Sequence, residues 1–181
     1  MTIFGEPRGR IALKILVPDD VTQVYVDWMN DAEITQYLES RWQAHTLESI
    51  REFVRTMNAS PNDVLFGVFL HEAGTLTEHI GNIKIGNIHR LHSRAELGLI
   101  IGSKTHWGKG YATEAIRLAT RYGFEELNLN KLFAGMYADN VGSYNAFIKA
   151  GYRKVAELQQ HCFSHGIYVN ELLVERCRHE A

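Results

Sequence analysis

Apolar and polar positions alternate in some stretches of the chain and recur at helical spacing in others, and the order of these patterns predicts its elements. Residues 8–17 (RGRIALKILV) alternate as a strand that Pro18 ends. Asp19 and Asp20 offer an N-cap to VTQVYVDWMN, where Val21, Val24, Tyr25 and Trp28 recur at helical spacing. A second short helix is expected over DAEITQYL, with Ile34, Tyr37 and Leu38 on one face. The polar run ESRWQAH (39–45) reads as a loop. Thr46 then caps a helix through about Asn58, whose apolar face is Leu47, Ile50, Phe53, Val54 and Met57.

After the break at Pro61 and Asn62 the period changes to two. VLFGVFLH (64–71), HIGNIKIGNIH (79–89) and RAELGLIIG (94–102) read as three consecutive strands. Short polar connections, among them the turn HEAGTLTE with Gly74, predict an antiparallel meander. HWGKGYATEAIRLATRYGFEEL (106–127) is helical after its glycines, with Ala112, Ala115, Ile116, Ala119, Tyr122 and Gly123 on one stripe. KLFAGMYA (131–138) is a strand, and NVGSYNAFIKAG (140–151) is a helix that Gly151 ends. YRKVAELQQHCF and IYVNELLVERC, joined near SHG, form a terminal pair of strands. The expected fold is α+β, a single domain over 1–181 with one mostly antiparallel sheet of about seven strands covered by helices.

Composition narrows the function classes. With 45% hydrophobic residues the chain has enough apolar side chains for a core of its own. A net charge of −2 supplies no broad positive field, so nucleic acid is not the expected partner. Cys162 and Cys177 make neither a disulfide framework nor a zinc pattern. The first twenty residues lack an apolar leader, and no later stretch is apolar enough to span a bilayer, so a cytoplasmic protein without membrane partners is expected. The pairs His89/His92 and His161/His165 have ligand-like spacing, but no acid or thiol set completes a site, so no metal is expected.

The segment that carries chemistry is AELGLIIGSKTHWGKGYATEA. Gly108 and Gly110 let the backbone turn tightly ahead of a helix, and a ligand can approach closely where there is no Cβ. The first N–H groups of that helix lack intrahelical partners and lie at the positive end of its dipole, which suits a phosphate or pyrophosphate. Lys109 and Arg117 add charge nearby. The alternative is a simple turn. The run is neither a P-loop nor a dinucleotide fingerprint.

This segment resembles the acyl-CoA loop of the GNAT acetyltransferase superfamily, Gln/Arg-x-x-Gly-x-Gly/Ala. Trp107 takes the Gln/Arg position, Gly110 the glycine and Ala112 the last. Trp107 departs from the general pattern and matches the subgroup similar to ribosomal-protein N-terminal acetyltransferases, where WGKGYATEA is typical. ADNVGSYNAFIKAGYRK resembles the later family motif, with Asn140, Ser143, Lys149, Gly151 and Tyr152 in register.

The resemblance implies a sheet splayed between its central strands, with the pantetheine arm in the split. It implies acetyl-CoA as co-substrate. By resemblance the CoA-binding residues are Leu99, Ile100 and Ile101 on the strand, Trp107, Gly108, Lys109, Gly110, Tyr111, Ala112 and Thr113 in the loop, and Asn140, Ser143 and Lys149 beyond. Residues 94–151 form the acetyl-CoA side and the helices of 19–58 the acceptor side.

Acetylating an amine requires a proton acceptor, because alkyl amines are ammonium ions at neutral pH. Glu96, on the strand leading into the loop, is the candidate base; a solvated strand carboxylate is the alternative. Backbone N–H groups of Leu99 to Ile101 are candidates for the oxyanion. Many family members carry a tyrosine acid where this chain has Phe147, which leaves Ser143 or solvent to serve the leaving thiol.

For the acceptor, Trp28, Asn30, Tyr37, Arg41 and Trp42 are the candidate contacts, Arg41 as a partner for phosphate or carboxylate. Expected partners are a small-molecule amine, an amino sugar first, or a peptide N-terminus; a polyamine calls for a more acidic pocket. The chain is expected to be a monomer or homodimer. The competing class is a non-catalytic acyl-CoA sensor.

Overall fold

The computed structural model describes residues 3–6, 9–72 and 74–180, the last in its backbone alone. Its strands are β1 (Ile3–Gly5), β2 (Ile11–Ile15), β3 (Val64–Glu72), β4 (Thr75–His89), β5 (Arg94–Ile101), β6 (Lys131–Tyr137), β7 (Arg153–Ser164) and β8 (Ile167–Cys177). Its α-helices are α1 (Gln23–Asn30), α2 (Ala32–Thr35), α3 (Leu47–Ala59), α4 (Tyr111–Glu125) and α5 (Val141–Lys149). The eight strands form one sheet in the order β1-β2-β3-β4-β5-β6-β8-β7. All neighbours are antiparallel except β5 and β6. The α+β class and the meander of β3, β4 and β5 are as the pattern predicts.

Alternation assigns the faces. Phe66, Ile83 and Leu97 point to one side, where Ile116 and Ala119 of α4 and Phe147 of α5 complete the main core. Leu65 and Leu16 point to the other side, against Tyr25 and Trp28 of α1 and Ile50 and Val54 of α3. The Thr46 hydroxyl accepts from the Ser49 N–H at 3.1 Å, which places the start of α3 where the sequence predicts it.

Several boundaries differ. β1 is an eighth strand; three residues are too few to reveal a period of two. The predicted first strand starts at Arg8, which lies outside the described residues, as do both ends of the expected 1–181 domain. The turn predicted over 71–78 is largely strand: β3 runs to Glu72 and β4 starts at Thr75, with Ala73 between them outside the described residues. Pro18–Asp20 form a 3₁₀ turn, so Thr22 rather than Asp19 or Asp20 takes the N-cap position of α1. Asp20 instead accepts from the Val17 N–H and pairs with Lys14. Residues 36–38 leave the predicted second helix. α4 starts at Tyr111, directly after Gly110, as the pattern predicts, and 104–106 ahead of the glycines form a 3₁₀ turn.

The feature that positions the site is an interruption. β5 and β6 pair over only three residues, Arg94–Lys131, Ala95–Leu132 and Glu96–Phe133. Beyond Glu96 the two strands diverge. β5 keeps β4 as a partner to Ile101, and β6 keeps β8 to Tyr137.

Candidate active site

The divergence leaves one edge of β5 unpaired. The Gly102 N–H donates to the Ile80 carbonyl of β4 at 2.9 Å, so backbone groups of even-numbered residues here face β4. Ile100 does so too: a Cβ on Gly81 would collide with its carbonyl oxygen. Leu99 and Ile101 therefore turn their N–H and C=O groups into the split. The expectation that Ile100 offers an N–H there is corrected by the pleat, although Ile100 still lines the cleft.

The cleft, about 530 Å³, follows from the split. Leu99, Ile100 and Ile101 line one wall, and Trp107, Gly108, Gly110, Tyr111, Ala112 and Thr113 close one end. Asn140, Ser143 and Lys149 line the α5 side. Lys109 is the one residue of the predicted CoA set that is not in the lining; Arg10 takes its carbonyl at 3.2 Å.

The loop is built to present N–H groups. Gly108 has φ +72° and Gly110 φ +86°, the left-handed region that glycine enters without strain. Gly110 is the N-cap of α4. Among the described residues, the chain supplies no hydrogen-bond partner to the N–H groups from Gly108 to Thr113. The Trp107 N–H is not part of this set, since it donates to the Lys104 carbonyl at 3.1 Å. The Trp107 side chain acts elsewhere. Its indole N–H donates to the Ile101 carbonyl at 2.7 Å and ties the loop to the open edge of β5.

Arg10 of the β1–β2 connection braces the same loop. Its guanidinium donates to Glu114 at 2.8 Å and lies 4.7 Å from the centre of the Tyr111 ring. The hydrogen bond to Glu114 raises the Arg10 pKa above its ordinary value. Glu114 thus holds a brace at the helix N-terminus, and Arg10 is a residue that sequence reasoning missed.

On α5 the Asn140 side chain accepts from the Ser143 N–H at 3.1 Å, an N-cap that fixes both residues at the cleft. The Ser143 hydroxyl has no partner within the chain among the described residues. Phe147 is 1% exposed and packs edge-on against Tyr152, so it does not reach the cleft.

Of the acceptor candidates, Tyr37 alone lines this cleft. Its hydroxyl donates to the Asp139 carbonyl at 3.3 Å, and desolvation, then Asp139, raises its pKa, so it stays protonated at neutral pH. Trp28 is a correction: it is 7% exposed and fills the space over Gly102, whose missing side chain makes room for the indole. Asn30 bonds Val26 and His45 and ties α1 to the turn before α3.

Arg41 donates to the Leu38 carbonyl, the Tyr137 hydroxyl and the Phe163 carbonyl, at 2.8, 3.0 and 3.0 Å. Its half-buried guanidinium knots the loop to the hairpin, with Glu39 as an ionic neighbour at 3.9 Å. Trp42, stacked on Arg41 at 4.2 Å, is 65% exposed and lines a separate pocket with Asn30 and Arg41. Glu33 also lines the cleft and pairs with Lys104 at 2.6 Å.

Glu96 stands where the β5–β6 ladder ends, on the sheet face of α1 and α3. It accepts from the Asn87 amide at 3.0 Å. Asn87 sits in a bulge of β4 with φ +54°, which aims its side chain across the strand. Glu96 does not line the cleft. Two residues further along the same face Gly98 is exposed, and a Cβ there would meet nothing. The surface between Glu96 and the split is therefore open.

Residues 10–153 match the family described as acetyltransferase (GNAT) domain. The chain belongs to the GNAT acetyltransferase family. It is 28% identical to the Bacillus subtilis N-acetyltransferase YoaA over 159 residues, 87% of each chain. It is 37% identical to the Escherichia coli spermidine N(1)-acetyltransferase over 95 residues, about half of each. Among solved structures, Vibrio cholerae spermidine N-acetyltransferase in complex with CoA and spermine superposes with a TM-score of 0.83 at 22% identity, over 94% of this chain and 97% of that one.

As a GNAT protein the chain is an acetyl-CoA-dependent N-acetyltransferase. The cleft fits that co-substrate on its own terms: unpartnered loop N–H groups suit a pyrophosphate, and an unpaired strand edge suits the amides of a pantetheine arm.

Other chemistries find less support. Burial first, and then the charges of Glu171, Glu39 and Asp139, push the Cys162 thiol up, which opposes an acetyl-cysteine route. His89 and His92 stack on each other, and His161 faces Glu171 at 3.5 Å. No group of three or more metal-ligating side chains comes together among the described residues. No helix among them is long and apolar enough to cross a membrane.

Proposed function

We propose that the chain acetylates a small primary amine by direct attack within a ternary complex. The observation that carries this reading is the open edge of β5 leading into the unpartnered N–H groups of Gly108 to Thr113. Acetyl-CoA supplies a thioester whose carbonyl carbon accepts the amine and whose thiolate leaves. The loop N–H groups hold the pyrophosphate, with Lys149 beside it. Leu99 and Ile101 hydrogen-bond the pantetheine arm and face the carbonyl oxygen as it gains charge. The Ser143 hydroxyl donates to the departing sulfur. A thiolate with a pKa near that of cysteine, about 8.5, needs no stronger acid.

The amine approaches from the α1–α3 face, over Gly98. Glu96 receives its proton, through water where the distance requires it. Glu96→Gln should lower turnover at least tenfold while acetyl-CoA affinity is unchanged. Full activity of that variant across pH would remove Glu96 from the mechanism.

A phosphate or carboxylate on the acceptor would draw on Arg41, whose guanidinium is already engaged by Leu38, Tyr137 and Phe163. A simple amine without a phosphate is the acceptor we favour, and the likeness to a spermidine acetyltransferase over half the chain is in keeping with it. A peptide N-terminus is the alternative within the subgroup resemblance. The buried Phe147 favours one reading of another class, an acyl-CoA sensor without turnover.

Thermal unfolding with and without acetyl-CoA, beside Gly110→Glu, tests the cleft. Ligand at 100 times its Kd stabilises by about 2.7 kcal/mol, a shift of roughly 5–11 °C for a domain of this size. The shift should vanish in the variant. CoA release with spermidine, glucosamine and an alanyl peptide then tests transfer. Stabilisation without release on any of the three would favour the sensor.

A further inference from the structure

The register of β6 and β8 brings a second carboxylate to the split. Glu171 of β8 pairs with Tyr137 of β6, and its side chain leans back along β6 toward the point of divergence. It comes to rest over Gly135: a Cβ built on that glycine would run into Oε1 of Glu171. The missing side chain of Gly135 is what lets the carboxylate lie flat on β6.

The face is the acceptor face. Glu96 and Phe133 are paired and point the same way, so Gly98 and Gly135, each two residues further on, point that way too. They are the positions that would face each other had the ladder continued. Across the split, then, one glycine leaves open space and the other carries the Glu171 carboxylate.

That carboxylate makes no hydrogen bond within the chain among the described residues. Among those residues its one ionic neighbour is His161, at 3.5 Å, and the Glu171 side chain is 22% exposed. Glu96, by contrast, already accepts from Asn87. The cation that would otherwise reach this region, Arg41, is tied to Leu38, Tyr137 and Phe163.

We propose that Glu171 is the residue that receives the acceptor's ammonium group and orients its nitrogen over the split. This rests on the acetyltransferase reading above. A carboxylate oxygen of Glu171 accepts one ammonium N–H, which leaves another free to pass its proton to Glu96. The lone pair so released forms the C–N bond to the acetyl carbon. The C–S bond breaks with its electron pair on sulfur, which takes a proton from Ser143 or water, and the second proton that the nitrogen gives up once the C–N bond has formed restores that donor. The amide product keeps one N–H and loses its positive charge, so it leaves a site built for a cation.

Steady-state kinetics with the fastest acceptor among spermidine, glucosamine and an alanyl peptide test the assignment. Glu171→Gln should raise KM for the amine tenfold or more, with KM for acetyl-CoA and the acetyl-CoA thermal shift unchanged. Glu171→Asp, one methylene short of Gly135, should behave alike. Gly135→Ala should reproduce the KM effect by displacing the flexible end of Glu171, and adding Glu171→Gln to it should cost nothing more. Glu96→Gln should instead lower kcat. A parent enzyme that turns over with amine KM unchanged within twofold in Glu171→Gln overturns this assignment alone. A parent that acetylates none of the three amines overturns the functional reading and this inference with it.

Discussion

Phe147 shows how a single position separates fold from chemistry. The related motif places an acid there, yet here the ring is 1% exposed and locked against Tyr152. A hydroxyl added at that site is buried without a partner, which costs about 1–3 kcal/mol. Phe147→Tyr should therefore lower stability by that amount in denaturant unfolding and leave kcat no higher than in the parent. A rise in kcat would mean that the tyrosine reaches the thiol after all. The loop residues were legible one by one because Trp107 to Thr113 form one contiguous run whose glycines announce positive φ. Glu171 and Arg10 were not. Glu171 reaches Gly135 only through strand pairing across 35 intervening positions in sequence, and Arg10 meets Glu114 across more than a hundred.

Among elements, β4 is joined to α1 and β3 by His79. Its ring stacks on Phe69 at 4.7 Å, meets Tyr25 and Trp28 edge-on, and donates from Nε2 to Gly81 and Asn82 at 2.9 Å. Burial lowers its pKa below the ordinary 6.5, against smaller raising effects of Asn82, Gly81 and the Asp20 charge; Lys14 lowers it a little further. With the folded pKa below the unfolded one, the unfolded chain binds the proton first as pH falls. Stability is then full above about pH 6.5 and declines below it, by at most about 1.4 kcal/mol per pH unit for this one group. Thermal unfolding between pH 5.5 and 7 should show the decline, and His79→Gln should flatten it; an unchanged slope would assign the effect elsewhere. The periodic elements were readable because each buries one face against one neighbour. β1 and the cap of α1 were not, since each is decided by three or four residues whose partners lie in other elements.

In the whole molecule the sheet comprises two parts, β1 to β5 and β6 to β8, joined by three paired residues and crossed by α4 and α5 on one face. The α+β class and the single sheet follow from the order of patterns in the chain. The split does not, because a strand that loses its partner halfway has the same sequence signature as one that keeps it. Its consequence can be read amide by amide. Along β5, Ile100 is tethered to β4 whether or not a ligand is present, while Leu99 and Ile101 hold their amides toward open space. Deuterium should replace hydrogen rapidly at Leu99 and Ile101 and slowly at Ile100 between them. Acetyl-CoA, lying along the edge as a missing strand would, should slow the two outer positions and leave the middle one as it was, an alternating isotope pattern that a ligand held at the loop alone would not write into the strand.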